Sequence, residues 1–404
     1  MARPTKSQVA GRRAVAIAVA VAATALVWLV FIRGGGGEGG GGGAAPAGEV
    51  PASVRDLVDE LSPEEKIDQV LLLGFEGTDA GAEIVAELRE RQLGGVLVTD
   101  RNWVDSSQLE ALVAELRAAG RSGGRIPPLI AAPQEGGPFR AFPDLPPSQR
   151  PLDVGDSGDP ELAEKSAREA GIALRGIGFD LDLFPVADVA TLDSPIADRA
   201  YSDDPAVAAA MTAAAIRGCR AAEIACAPSH FPGLGAASQS TEEGPATVSL
   251  DIAGLAARDL TPFETAFRAG APAVVLSHAF YAAFDAVTPA SLSSLVTHDL
   301  LRDDLGFEGV AITDDLGAGA IKARGAASEV GGKSPRGGSA VTAAAIAALQ
   351  AGADLLMISA PEDQAGVTDA LIEAVGTGDI SEDRLDEAVG RVLVLKQQLG
   401  LIER

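Results

Sequence analysis

Cysteine, histidine and aromatic side chains are scarce in this chain. Its 404 residues hold two cysteines, three histidines and 4% aromatics. Two cysteines cannot build a disulfide-stapled scaffold or a cysteine zinc site, and three histidines cannot supply a histidine-rich metal centre. No metal and no organic cofactor is implied. Basic side chains are also short. Lys and Arg number 32 against 57 Asp and Glu, a formal net charge of −25. Five of the basic residues (Arg3, Lys6, Arg12, Arg13, Arg33) lie in the first 50 positions, so the rest is still more acidic. Such a body repels phosphate backbones, which excludes nucleic acid as a partner. With hydrophobic residues at 47% and charged residues at 22%, wholesale disorder is excluded too.

Charge is wholly absent from residues 14–32, AVAIAVAVAATALVWLVFI. As a helix this run is roughly 28 Å long, about the hydrocarbon thickness of a bilayer. Four basic residues precede it and Arg33 follows, so the positive-inside rule leaves the N-terminus in the cytoplasm. A cleaved signal peptide is the alternative, with Ala45-Pro46-Ala47 as a small-residue cleavage site. The length favours a single-pass anchor in the cell membrane. The expected layout is a cytoplasmic stub and anchor over 1–33, a flexible glycine-rich linker over 34–50, and an outward-facing body over 51–404.

The body alternates short apolar runs with amphipathic stretches. Ser62-Pro63-Glu64-Glu65 reads as a capped helix start. Leu109, Leu112, Val113 and Leu116 repeat with helical spacing before Gly120, and the closing helix runs from Ser381 to Leu399. Eight strand runs are predicted, at 71–75, 94–100, 127–133, 180–189, 224–231, 271–280, 309–315 and 353–359. They are nearly continuous in apolar residues, as parallel strands covered on both faces are. Eight strand–helix units predict an α/β fold, a (β/α)₈ (TIM) barrel, over a doubly wound open sheet as runner-up. No glycine-rich phosphate fingerprint follows the first run, as the open sheet would usually require. In a barrel the chemistry sits at the C-terminal strand ends. Those ends carry Gln134-Glu135-Gly136-Gly137, Asp198-Arg199, Ser229-His230-Phe231-Pro232-Gly233-Leu234-Gly235, Ser277-His278 and Thr313-Asp314-Asp315-Leu316. Polar groups converging there suit a small ligand with several hydroxyls, and an ionised carboxylate among them can attack a sugar's anomeric carbon.

QEGG, DR, HFPGxG and TDDL, in this order on successive strands, resemble glycoside hydrolase family 3, in particular its single-domain bacterial β-N-acetylglucosaminidases. The resemblance spans about residues 55–402. It implies a retaining glycosidase that cleaves terminal β-linked N-acetylglucosamine through a covalent glycosyl-aspartate, on a glycan of peptidoglycan type or related. It also implies that Asp314 is the nucleophile, with Asp315 turned the other way by strand alternation. Arg199 and His230 match sugar-contacting positions, and Glu135 and His278 complete the expected substrate contacts. A monomer is expected, with the glycan and the membrane as its partners.

This chain departs from the family at several positions. Ser229 replaces the family's lysine, Leu234 its second histidine, and Pro133 its aspartate before QEGG. Pro138 stands for the arginine after QEGG, with Arg140 as a candidate substitute. Where the family has an Asp-Ser-His triplet, this chain reads Ser240-Thr241-Glu242, so the acid/base dyad is missing. In one reading Glu242 takes over as catalytic acid, from a small, polar loop suited to movement. In the other, the barrel binds glycans without turning them over, as a binding or envelope scaffold protein. Trp103 has two readings, stacking on a sugar ring or the commoner loop packing; His298 has no assigned role, and Cys219 and Cys226 are expected as buried thiols.

Overall fold

The computed structural model describes residues 50–323 and 339–403. Among them no helix is long and apolar enough to cross a membrane. The predicted anchor at 14–32 and most of the linker lie outside the described residues.

Strand β1 (Leu71–Leu73) shows how the apolar runs resolve: its three leucines are fully buried. It is followed by β2 (Gly95–Leu97), β3 (Leu129–Ala132), β4 (Leu181–Asp182), β5 (Ala225–Cys226), β6 (Thr247–Val248), β7 (Ala273–Leu276), β8 (Phe280–Tyr281), β9 (Asp285–Pro289), β10 (Val310–Thr313) and β11 (Leu356–Ile358). Each of the eight predicted runs contains one of these strands. The regular part of each is only two to four residues long. β6, β8 and β9 form a separate small sheet.

The main sheet is parallel, in the order β11-β1-β2-β3-β4-β5, and β10 pairs with β7 in a second parallel pair. Isolated parallel bridges, Phe231 to Leu276 and Ile312 to Leu355, link the ends of one set to the other. Apolar side chains divide by strand parity. Leu72, Leu97, Leu129, Leu181, Val275, Ile312 and Met357 share one cluster, capped by Val392 and Leu395 of the closing helix. Leu71, Leu73, Val96, Ile130, Val274 and Leu276 belong to a larger cluster shared with the surrounding helices. Each such buried leucine contributes about 2 kcal/mol. The result is a mixed α/β fold with a parallel sheet.

Helix boundaries follow the expected signals. Ser62 accepts from the Glu65 backbone N–H at 3.2 Å, and Glu65 accepts from that of Ser62 at 2.9 Å, a reciprocal cap on the Pro63–Gln69 helix. The helix with the Leu109 stripe spans Ser106–Gly120, and the closing helix spans Glu382–Gln398 behind Ser381. At the N-terminal strand ends, buried carboxylates are matched by arginines. Asp354 meets Arg302 at 2.7 Å, Arg384 at 2.9 Å and Arg391 at 3.3 Å. Burial opposes ionisation there, but the three guanidinium groups outweigh it and hold the carboxyl below its usual range. Conserving structure is the work of that end of the strands.

The two cysteines are bonded to each other rather than free, which corrects the sequence expectation. Cys219 lies in the last turn of the Pro205–Ala221 helix and Cys226 in β5. The chain reverses between them through Glu223, at φ 56°, and brings their Cα atoms to 6.1 Å. A bridge closing so short a loop contributes about 2 kcal/mol. Cys219→Ser should therefore lower the chemical-denaturation midpoint, and reductant should lower the wild type equally. An unchanged midpoint in both would show the bridge to be energetically idle.

Candidate active site

A cavity of about 400 Å³ opens at the C-terminal ends of the strands. Its apolar floor is Leu97, Leu183, Val275 and Met357, the last layer of the inner cluster. Its polar wall includes Thr99, Asp100, Glu135, Arg199, His230, Glu242, Asp314, Asp315 and Ser359. The volume suits a small ligand.

Asp314 follows β10 directly and is 8% exposed. Its backbone N–H donates to the Leu276 carbonyl at 3.0 Å, which fixes it against β7. One carboxylate oxygen accepts from the Asp315 N–H at 2.9 Å, and the group borders the cavity. Asp315 borders it too, contrary to the alternation argument, because the regular strand ends at Thr313. The Asp315 carboxylate is nonetheless occupied: it accepts from the N–H of Gly317 at 3.0 Å, from that of Ser359 at 3.1 Å, and from the Ser359 hydroxyl.

Arg199 reaches Glu135 through two bonds, Nε to Oε2 at 2.8 Å and Nη2 to Oε1 at 2.7 Å. Burial works against the charged guanidinium, but the Glu135 carboxylate outweighs it and holds the pKa above its ordinary value. A bidentate pair of this kind fixes both side chains in one plane. His230 is held from behind by Asp188, with Nδ1 at 2.7 Å from Oδ2. Asp188 also accepts from the backbone N–H of Leu234 at 2.5 Å, so one buried carboxylate organises the turn from 230 to 234. Burial disfavours the charged ring. Asp188 more than offsets this, so the His230 pKa is raised.

Glu242 enters the same cavity from the loop after β5. The residue is exposed overall, yet its carboxyl is pushed up to about 7. The largest cause is desolvation of the carboxyl group, followed by the negative charges of Asp314 and Asp315. The loop is fastened rather than loose. The Glu242 and Thr241 carbonyls accept from the backbone N–H groups of Gly319 at 3.0 Å and Ala320 at 2.9 Å. Position 319 has no room for a side chain: a Cβ there would lie 2.5 Å from the Glu242 carbonyl oxygen.

Several expected participants lie elsewhere. The structure does not bring His278 to the cavity. It is fully buried, its Nδ1 is 2.7 Å from the Ser291 hydroxyl, and its Nε2 is 3.0 Å from the Asp315 carbonyl. Burial lowers its pKa, so it braces the turn after β10 as a neutral ring. Arg140 spends its guanidinium on the carbonyls of Gly137, Pro143 and Leu145 in its own loop and leaves the Pro138 position uncompensated. Trp103 packs on Phe142, with ring centres 5.7 Å apart, instead of facing the cavity. His298 is exposed beside Asp299 at 3.3 Å. Asp188 and Asp100 were not singled out from the sequence. A carboxylate closing the apolar run DLDLFPVADV was the available signal for Asp188.

Comparison with known proteins bears on the family and the fold. Residues 62–395 match the family described as Glycosyl hydrolase family 3 N terminal domain. A beta-hexosaminidase of Stenotrophomonas maltophilia K279a is 34% identical over 345 residues, which cover 83% of this chain and 91% of the relative. A beta-hexosaminidase of Xanthomonas campestris pv. campestris B100 is 34% identical over 343 residues, covering 83% and 92%. Among solved structures, a family 3 beta-N-acetylglucosaminidase from Paenibacillus sp. FPU-7 superposes with a TM-score of 0.76 at 32% identity. That match covers 84% of this chain and 63% of the other. A beta-N-acetylhexosaminidase from Beutenbergia cavernae gives a TM-score of 0.72 at 28% identity, covering 83% and 99%.

Proposed function

Because the chain belongs to glycosyl hydrolase family 3, we propose that it is a retaining glycosidase that removes terminal β-linked N-acetylglucosamine from a glycan. The observation that carries the mechanism is that Asp314 and a Glu242 poised near neutrality face one cavity. An Asp314 oxygen bonds to the anomeric carbon as the glycosidic bond breaks, and Glu242 gives its proton to the departing oxygen. In the second step the Glu242 carboxylate takes a proton from water. The resulting hydroxide displaces Asp314 from the anomeric carbon. The negative cavity favours the oxocarbenium-like transition states of both steps. Arg199, locked by Glu135, and His230, oriented by Asp188, present donors to the sugar hydroxyls.

The two parallel sheets, their bridges and the split into inner and outer apolar clusters support one (β/α)₈ barrel. The apolar run at 14–32 supports a membrane-tethered body on the extracytoplasmic side, where peptidoglycan-type glycans are within reach. The Cys219–Cys226 bridge suits such an oxidising compartment.

The test is turnover of a chromogenic β-N-acetylglucosaminide by the purified protein, with the first-formed sugar observed by proton NMR. Release of the β-anomer is expected. Sugar binding by calorimetry without any turnover would overturn the hydrolase reading and leave the non-catalytic glycan binder.

A further inference from the structure

Asp188 holds one side of the turn from 230 to 234 that carries the His230 imidazole. On the other side stands a carboxyl group that the mechanism does not use. Asp259 lies at the corner between the Ile252–Ala257 and Leu260–Ala269 helices and is fully buried. Neither of its oxygens takes part in a hydrogen bond. Its ion pair with Arg258 is long, at 3.8 Å, and Arg258 instead donates to the Val189 carbonyl at 2.6 Å, one residue beyond Asp188. Burial pushes the Asp259 carboxyl up to about 7; Arg258 opposes this and the charge of Asp188 adds to it. The Tyr281 phenol of β8 also feels its charge. What Asp259 has in place of hydrogen bonds is a packing contact. Gly233 stands at φ 128°, and a Cβ there would lie 2.4 Å from the Asp259 Cβ, so the aspartate lies against the Gly233 backbone. The Tyr281 hydroxyl donates to the Gly233 carbonyl at 2.9 Å, and the Gly233 N–H donates to the His230 carbonyl at 2.8 Å.

From this packing we propose that Asp259 is a positioning residue for His230: pressed against Gly233, it closes the back of the turn and, opposite Asp188, sets where the imidazole meets the sugar. The proposal deepens the glycosidase reading and rests on it for the sugar that His230 contacts. Asp188 fixes the ring nitrogen and the Leu234 N–H, Tyr281 fixes the Gly233 carbonyl, and Asp259 occupies the volume behind Gly233. A side chain removed from a close-packed site leaves a hole into which its neighbours partly relax. Here the neighbour is the turn itself, and a shift of the Gly233 backbone moves the carbonyl and the ring of His230 with it. A contact that the sugar makes equally before and during bond breaking acts on KM rather than on kcat.

The experiment compares Asp259→Ala and Asp259→Asn with the wild type at mildly acidic pH, where the buried carboxyl is protonated and asparagine copies its shape and charge. Asp259→Ala should raise KM for a chromogenic β-N-acetylglucosaminide by about tenfold and leave kcat within about twofold. Asp259→Asn should keep both constants within about twofold of the wild type. The ring signals of three histidines are few enough to follow by proton–nitrogen NMR. In Asp259→Ala the His230 signal should move, while that of the distant, exposed His298 stays. Should the alanine variant fail to fold, Asp259→Ser, which leaves a smaller hole, carries the same readouts. A lower thermal midpoint with KM and the His230 signal unchanged would reduce Asp259 to a structural residue and overturn the proposal, as would a fall in kcat at constant KM. If no glycoside is cleaved, the glycosidase reading fails separately, and the His230 signal with the calorimetric affinity for N-acetylglucosamine still decides the role of Asp259.

Discussion

Asp314→Asn should lower kcat by roughly 10⁴-fold or more, the size of loss seen when a covalent nucleophile is removed. The carboxamide has the same shape and keeps an oxygen for the Asp315 N–H, so the turn after β10 survives. What it loses is the second anionic oxygen that bonds to the anomeric carbon. Near-wild-type thermal unfolding together with that loss separates chemistry from folding. A mechanism-based fluorosugar incubated with the wild type should leave a covalent label on the peptide containing Asp314, mapped by mass spectrometry. A variant that keeps more than a tenth of the activity, or a label on another carboxylate, would remove Asp314 from its role.

Glu242→Gln carries the second large effect, and its signature is the dependence on leaving group. Protonation matters most when the departing oxygen is a poor leaving group. Ordinary glycosides should therefore slow by roughly 10²–10⁴-fold, and activated aryl glycosides far less. The pH profile gives an independent readout. The acid must hold its proton for the first step, so kcat/KM of the wild type should fall as pH rises through about 7. That limb should vanish in Glu242→Gln. Since burial and then the negative charge of Asp314 raise this group, Asp314→Asn should move the limb to lower pH wherever residual activity or direct titration can follow it. Equal slowing of good and poor leaving groups would falsify the assignment.

The architecture was legible because its signals are redundant along the chain. Runs such as 71–75 and 309–315 are apolar on both faces, and Ser62-Pro63-Glu64-Glu65 and the stripe from Leu109 carry their own start and stop marks. The cavity was legible only in part. Asp314, Arg199, Glu135 and His230 border it as their strand-end positions implied, and Glu242 as its match to the family's acid/base triplet implied. The errors came where a side chain's direction depends on its neighbours. His278 ends its strand as His230 does, yet Ser291 and the Asp315 carbonyl turn it inward. Strand parity misplaced Asp315 because the strand stops one residue before Asp314. The Asp188 contact with His230 joins residues 42 positions apart, so a carboxylate closing an apolar run shows in the sequence while its partner does not. The Cys219–Cys226 bridge depends on a left-handed residue between them that is a glutamate, not the glycine that would have signalled the turn.

The seam between Thr241-Glu242 and Gly319-Ala320 has one more consequence. The segment that follows Asp314 and the loop that carries Glu242 share a main-chain clasp, so the separation of the two carboxyl groups is held by backbone. A methyl group at 319 would pry that clasp open at a point no substrate touches. With Glu242 moved from its place in the cavity, the proton would reach the departing oxygen less readily and the proposed cleavage would slow. Glycine at 319 thereby holds the Glu242 loop against the segment that follows Asp314.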